Sequence, residues 1–358
     1  GSYFENRGMN DKAVVLYQKG GDFHKAISLC FESKLYESLR VISEEFTKNT
    51  DTALLNRVGD FFMDNNQYDK AVQLFITAGR QTEALVLCQK HAVRLTDKMA
   101  EALTPPKTKD PKEAATRKKT LLVLAECLLA QGLFHLACKK YTQAGDKILA
   151  MKSLLKSNDT DKIIYYATMT KKKEIYVLAG NYLQSQDWRN NAELMKRVIL
   201  FYSKAKAYEK LANFYDSCGQ LEIDEYRDYV KALGAMKEAL KYMQKSKAVK
   251  NKEAKLGVLM QRTKYIESFV RARSLLRTNH KEFVQVCESL LIQPNVEQAV
   301  RVGDVYAVLT EYYFNKDDMN KAYEQIEAMR NRKITVGPYL DSKTVRTICL
   351  AVGVYQNI

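Results

Sequence analysis

The stretch Asp69-Lys70-Ala71-Val72-Gln73-Leu74-Phe75-Ile76-Thr77-Ala78-Gly79 decides the fold, because the chain returns to its pattern of small and bulky residues. Upstream, Asp11-Lys12-Ala13-Val14-Val15-Leu16-Tyr17 repeats the first part, and Gly20-Gly21 stands where Ala78-Gly79 does. Downstream, Tyr141 and Ala144-Gly145 fall in the same register. A pattern that recurs in this way indicates an array of structural repeats.

Small residues let two helices approach closely, and large residues fill the space beside them. The spacing small-x2-large, eight residues, small-x3-large-x2-small is typical of the tetratricopeptide motif, a helix and a tight turn followed by an antiparallel helix. Two sets match at every step: Gly59, Phe62, Ala71, Phe75 and Ala78; and Ala125, Leu128, Ala137, Tyr141 and Ala144. A third set has the same spacing with more degenerate residues: Thr310, Tyr313, Ala322, Ile326 and Met329. We therefore predict an all-α fold, a tetratricopeptide-like α-solenoid that forms a right-handed superhelix of antiparallel helix pairs.

The length of 358 residues exceeds that of one usual compact domain. A solenoid escapes this limit because each repeat packs only on its neighbours. We expect residues 3–332 to form one continuous helical-repeat array and residues 333–358 to form a short helix and a tail. Gly1-Ser2 resembles an expression scar. Because Phe4 already falls inside a repeat, we expect the natural protein to continue upstream.

Residues 104–119 interrupt the array. Pro105, Pro106 and Pro111 stand there among many charged residues. Such a composition leaves little to bury and predicts a mobile surface loop. Further along, Trp188 is expected to start a helix and to serve as a packing residue.

The seven cysteines occur singly inside apolar helical runs, so we interpret them as reduced core residues of an intracellular protein in a reducing compartment. Cys88 with His91, and His135 with Cys138, have the spacing of one helix face. A structural zinc site needs four converging ligands, so these pairs predict neither a metal site nor a cofactor.

Catalytic motifs are absent from the sequence. It contains no phosphate-binding loop, no nucleotide fingerprint and no nucleophile elbow. The acid pairs Asp224-Glu225 and Asp317-Asp318 precede predicted helices, where capping accounts for them. We therefore expect no catalytic residues and a protein that is not an enzyme.

The net charge of +15 is concentrated in residues 231–264, which hold ten Lys or Arg and two acids. Lys237, Lys241 and Lys245 recur every four residues and so share one helix face. This face is either simply solvated or contacts an acidic protein segment or an anionic membrane. We expect no nucleic-acid binding, because no base-reading position recurs. An adaptor that binds membrane or nucleic acid through residues 231–264 is nevertheless the alternative function.

Segments between the repeat motifs carry a more specific signature: Lys139–Gly145, Ala150-Met151, Leu154–Ser157, Glu174–Tyr176, Asn181–Ser185, Asp187–Arg189 and Glu222–Tyr226. Through these residues, from about Tyr3 to Arg332, the chain resembles the C-terminal helical-repeat region of intraflagellar transport complex A subunits. The resemblance implies a scaffold without catalytic residues that binds other complex A subunits. It further implies a role in retrograde ciliary transport and in bringing membrane proteins into cilia. The implied locations are the cytoplasm and the cilium or flagellum, including axoneme and basal body.

Overall fold

The computed structural model describes residues 1–47, 49–247 and 251–354, and within these ranges it contains helices and no β-strand. The chain divides into two compact units, Gly1–Leu178 and Ala179–Ile358. The predicted all-α, tetratricopeptide-like fold is confirmed. The single continuous array over residues 3–332 stays a prediction.

The first unit is a run of helices, most of them short, that pack on near neighbours in the chain. They are α1 (Ser2–Glu5), α2 (Asn10–Lys19), α3 (Phe23–Glu32), α4 (Tyr36–Glu44), α5 (Thr52–Asp64), α6 (Tyr68–Thr77), α7 (Gln81–His91), α8 (Asp97–Ala102), α9 (Pro111–Ala130), α10 (Phe134–Gln143), α11 (Lys147–Leu155) and α12 (Thr160–Thr170). The pairs α5–α6 and α9–α10 are the two clearest hairpins, and α7 and α11 continue them.

The boundary between the units lies within α13 (Lys173–Gln184). The second unit contains longer helices, which are α14 (Ala192–Ala205), α15 (Tyr208–Asp224), α16 (Tyr229–Lys245), α17 (Lys252–Leu275), α18 (His280–Leu291), α19 (Val302–Asn315), α20 (Met319–Asn331) and α21 (Ser342–Ala351). A single 3-10 turn, Val296–Gln298, precedes α19. The hairpins α15–α16 and α19–α20 pack most extensively.

The repeated glycines end helices in one recurring geometry. Gly21, Gly79 and Gly145 have φ of 78°, 83° and 83°, the left-handed region that side chains with a Cβ rarely adopt. After Gly79, the Arg80 N–H donates to the Phe75 carbonyl at 2.8 Å. This bond closes a Schellman motif, which satisfies a carbonyl that the helix end leaves free. The chain therefore reverses direction at the same point of each of these repeats.

The small-to-large pattern reflects direct contact between the helices of a hairpin. A Cβ added to Gly59 on α5 would lie 2.6 Å from Cε1 of Phe75 on α6, closer than two carbon atoms can approach. Glycine is therefore required at position 59, where the Phe75 ring lies directly on the backbone of α5.

The sequence pattern missed one such contact, between Gly180 on α13 and Tyr202 on α14. A Cβ on Gly180 would lie 2.6 Å from Cε1 of the fully buried Tyr202 ring. The connection between α13 and α14 is longer than that between α5 and α6, so the two residues fall out of the expected spacing. Trp188 lies in this connection, buried and edge-on to Phe214, at 4.9 Å between ring centroids. The expectation that Trp188 starts a helix is therefore wrong, while its packing role is confirmed.

The predicted loop 104–119 is too long. Pro111 is the first residue of α9, where its missing N–H breaks no helical hydrogen bond. Asp110 caps this helix by accepting from the Lys112 N–H at 3.2 Å. Only residues 104–110 are non-helical, and Arg117 Nε donates to the Pro105 carbonyl at 3.0 Å. The mobility of the remaining loop stays a prediction.

The segment before α21 is clamped onto the second unit by Tyr339. The Cζ atoms of Arg227 and Arg301 each lie 5.0 Å from the centroid of its ring. Arg301 Nη2 also donates to the Tyr339 hydroxyl at 3.2 Å. A Cβ on Gly303 would overlap the same ring. The C-terminal segment is thus held by close packing and by two cation–π contacts.

Behind this clamp lies a buried pair formed by Tyr229 and Asp304. The Tyr229 hydroxyl donates to Asp304 Oδ2 at 2.6 Å, and it accepts from the Arg301 N–H at 3.2 Å. Burial, together with the adjacent carboxylate, raises the pKa of Tyr229. The Nε atoms of Arg227 and Arg301 lie 3.7 and 3.9 Å from the Asp304 carboxylate and offset its charge. The pair joins the start of α16 to the start of α19.

We expect Gly180→Ala to destabilise the second unit by about 1–3 kcal/mol, because the added methyl group forces Tyr202 out of its packed position. The matched control is Gly234→Ala in α16, where an added Cβ meets nothing within 4 Å. That change replaces a helical glycine in open space and is expected to be neutral or stabilising by up to about 1 kcal/mol. Urea unfolding followed by circular dichroism measures both. Equal destabilisation by the two variants would contradict the contact.

For the clamp, we expect Tyr339→Ala to lower the free energy of unfolding of the second unit by about 2 kcal/mol, since packing and both cation–π contacts are lost. Tyr339→Phe keeps the ring and removes only the hydrogen bond from Arg301, so it is expected to cost about 1 kcal/mol or less. Thermal unfolding of the two variants distinguishes the stability contributed by the ring from that contributed by the hydroxyl. A phenylalanine variant as unstable as the alanine variant would argue against the stacked arrangement.

Candidate interaction surface

The repeat-defining residues lie inside the helix stacks. Of the first set, Gly59, Phe62, Ala71 and Phe75 are buried and Ala78 is half-buried. Of the second, Ala125, Leu128, Ala137, Tyr141 and Ala144 are all buried. Of the third, Ala322 and Ile326 are fully buried and Tyr313 is half-buried. Their positions suit packing between helices, so a partner has to be bound by other side chains.

The predicted lysine stripe is exposed, but two of its members already have partners. Lys237 Nζ lies 2.9 Å from Glu267 Oε1 on α17, and Lys241 Nζ lies 2.8 Å from Glu238 Oε1 on its own helix. Lys245 has an aromatic neighbour instead, with its Nζ 5.6 Å from the Tyr242 ring centroid. Exposed ion pairs contribute at most about 1 kcal/mol each, but they reduce the charge that the stripe offers to a partner.

Other cations of residues 231–264 are also engaged. Lys231, Lys255 and Arg262 pair with Asp228, Glu209 and Asp216, respectively. Lys252 Nζ donates to the carbonyls of Gln244 and Ser246 at the end of α16. Part of the excess charge of this stretch therefore lies next to carboxylates, and two of these, Glu209 and Asp216, come from α15. Lys250, which the prediction included, lies outside the described residues.

The two histidine–cysteine pairs are split between surface and core. Cys88 is buried, whereas His91 is exposed and stacks on Tyr68 with ring centroids 3.5 Å apart. Cys138 is buried, whereas the half-exposed His135 lies 3.6 Å from Asp159 Oδ2. Among the described residues, no three His, Cys, Asp or Glu side chains are grouped so that they could hold a metal ion.

All seven cysteines are buried free thiols. Burial raises the pKa of Cys30 to about 11, and it raises the pKa of Cys88 and Cys287 to about 12, from the ordinary value of 9.0. A raised pKa means that the folded state favours the protonated thiol. The stabilisation from these neutral thiols is therefore complete below pH 9 and is lost as the pH rises towards 12.

An apolar groove lies on the first unit between α10 and α12. Its volume is about 340 Å³, and Cys138, Leu154 and Tyr166 contribute to its lining. Beside them Tyr165 is 66% exposed, and Met169, one turn further along α12, is 62% exposed. The sequence prediction missed this strip, although two large apolar residues four positions apart next to Lys171-Lys172-Lys173 were a detectable signal. We therefore take this strip as the candidate interaction surface of the first unit, since contiguous exposed apolar area is what a protein partner can cover.

The repeats and their segment-specific residues match two known domain families. The tetratricopeptide domain shared by intraflagellar transport proteins 140 and 172 matches residues 1–201, which is more than half of the chain. The chain belongs to this family. The C-terminal tetratricopeptide domain of intraflagellar transport protein 140 matches residues 209–330. The resemblance to an intraflagellar transport complex A subunit, and specifically to the repeat region of protein 140, is thereby confirmed.

Membership of this family supports general statements about function. The chain is a helical scaffold of the kind found in intraflagellar transport proteins. Domains like those of protein 140 associate with complex A components at the cilium. Tetratricopeptide families of this kind are typically non-enzymatic. None of the described helices is both long enough and apolar enough to cross a membrane.

We expect the folded protein to react slowly with a thiol reagent such as DTNB, because the thiolate is the nucleophile and these thiols are buried and protonated. Guanidinium unfolding should then release the full signal of seven thiols. Time courses at pH 8 with and without guanidinium measure the difference, with free cysteine as the reference for a fully accessible thiol. A rapid phase equivalent to one or more thiols in the folded protein would contradict the buried placement.

Proposed function

We propose that this chain is a non-enzymatic protein–protein scaffold of intraflagellar transport complex A, acting in retrograde ciliary transport and in the delivery of membrane proteins into cilia. The family match along nearly all of the helices supports the proposal most directly. The proposed role depends on the exposed surface of the helices and not on catalytic groups. Stacked hairpins expose grooves that accept a helix or a loop of a partner.

The groove beside Tyr165 and Met169 is our candidate for contact with another complex A subunit. A partner segment with apolar side chains four residues apart would cover both residues and remove them from water. Burial of two such side chains is worth about 1.5–3 kcal/mol each before the cost of association is subtracted. The buried thiols agree with a reducing environment, and we propose the cytoplasm and the cilium, at axoneme and basal body, as the location.

Affinity capture from ciliated cells tests the scaffold role. With this protein as bait we expect the other complex A subunits to be captured, and an unrelated tetratricopeptide protein of similar charge to capture none. Capture of no complex A subunit by well-folded bait would refute the proposal. In cells that lack the protein, trains should accumulate at ciliary tips and receptors should be depleted from the ciliary membrane.

The groove is tested separately with Tyr165→Ser/Met169→Ser, which removes the exposed strip. We expect capture of at least one complex A subunit to fall about tenfold or more, the loss typical of a central interface residue. The matched control is Val41→Ser/Val86→Ser, two exposed apolar residues elsewhere on the same unit, at 56% and 41% exposure. Full capture by the groove variant would place the contact on another surface without affecting the scaffold role.

A further inference from the structure

Four lysines line one cleft on the second unit, between the start of α15 and the end of α16. Lys206 and Lys210 line one side, and Lys245 and Lys247 line the other. The cleft has a volume of about 440 Å³. We refer to it as the lysine cleft. All four lysines are exposed, so their ammonium groups are accessible to a ligand.

The described residues place no carboxylate within ion-pair distance of these four lysines, in contrast to Lys237 and Lys241 on the neighbouring stripe. Glu209, the acid among the described residues that line the cleft, pairs with Lys255 at 2.7 Å. Like charges gathered in a concave surface repel one another and focus a positive potential into it. An anion of several charges would relieve that repulsion.

The surroundings of the cleft are ordered by contacts that leave the lysines accessible. Tyr208, which lines the cleft, stacks on Tyr242 with ring centroids 6.0 Å apart, and the Lys245 Nζ lies 5.6 Å from the same Tyr242 ring. Lys252 Nζ donates to the Gln244 carbonyl at 2.7 Å and to the Ser246 carbonyl at 2.6 Å. The partial negative charge at the end of α16 is therefore compensated, and it does not oppose an anion in the cleft.

We infer that the lysine cleft binds the phosphorylated headgroup of an inositol phosphate, either free or as part of a phosphoinositide lipid. Lysine is a point-charge ligand for phosphate, and four of them match a headgroup with more than one phosphate. The volume lies within the range of small-molecule sites, whereas an acidic peptide would need a longer groove. This activity is additional to the proposed scaffold role and does not depend on it.

The sequence analysis predicted an electrostatic contact on the neighbouring stripe, which consists of Lys237, Lys241 and Lys245. Only Lys245 of the three belongs to the cleft. Lys206 and Lys210 lie some 35 residues earlier in the chain, and only the antiparallel packing of α15 on α16 brings them to Lys245. The inference therefore rests on the fold rather than on the run of basic residues.

Two binding measurements on the purified chain test the inference. Isothermal titration uses soluble inositol 1,4,5-trisphosphate, and co-sedimentation uses phosphatidylcholine vesicles that contain phosphatidylinositol 4,5-bisphosphate. Vesicles with phosphatidylserine at equal total charge control for general attraction to an anionic surface. We expect saturable binding that weakens as salt is raised. Binding of the soluble headgroup alone identifies a free inositol phosphate as the ligand, and preference for the phosphoinositide vesicles identifies the lipid.

Two independent double variants locate the site, Lys206→Ala/Lys210→Ala and Lys245→Ala/Lys247→Ala. Each should weaken binding about 30-fold, at about 1 kcal/mol per lysine near an anionic surface. The matched control, Lys237→Ala/Lys241→Ala, removes the same charge from the paired stripe and should change binding less than about twofold. Circular dichroism verifies that every variant is folded.

The inference would be overturned if the folded protein bound neither ligand, or if it bound phosphatidylserine vesicles of the same charge equally well. Equal losses of binding in the cleft variants and the stripe control would overturn it too. A polyglutamate peptide that binds the cleft more tightly than the inositol phosphate would also overturn it, in favour of an acidic protein partner. None of these results bears on the capture of complex A subunits, so the two proposals fail separately.

Discussion

The architecture depends on one steric relation, an aromatic ring lying directly on the backbone of the preceding helix. At Gly59 the Phe75 ring occupies the space where a Cβ would stand, and at Gly180 the Tyr202 ring does the same. Because both rings are fully buried, neither can move aside without disturbing its neighbours. Since these contacts join consecutive helices, both helix pairs are specified locally, and a stack of such pairs can grow by repetition without a central core.

This local code explains which features can be predicted from sequence. Gly59 and Phe75 stand at the expected spacing, so their hairpin is predictable. The contact between Gly180 and Tyr202 is not detected by that spacing, because the longer connection around Trp188 shifts the register. Pro111 makes the predicted loop 104–119 too long for a related reason. Proline signals a break in a helix interior but is favourable at the first helical position, and only the cap by Asp110 distinguishes the two cases. Helix ends and loop lengths thus limit a prediction based on interior spacing.

Electrostatic function is harder to predict, because charge partners come from other helices. A four-residue period puts Lys237 and Lys241 on one face, but it contains no information about Glu267, which reaches Lys237 from α17. The lysines of the cleft lie at two helix ends that are distant in sequence. A net charge of +15 therefore does not show where the chain is positive. A partner meets the local charge, which is highest where lysines have no carboxylate beside them.

The residues that pack the helices differ from the exposed residues, and this difference decides what a substitution does. Positions such as Ala71 and Ala137 are buried in helix contacts, so altering them weakens the stack and every surface built on it. Tyr165 and Lys206, in contrast, are exposed, so altering them should cost little stability and change only the contacts that we propose for them. A scaffold of this design can acquire or lose partners one at a time while its fold stays the same. Interaction sites on such repeats should accordingly be sought on exposed helix faces and at helix ends, away from the residues that define the repeat.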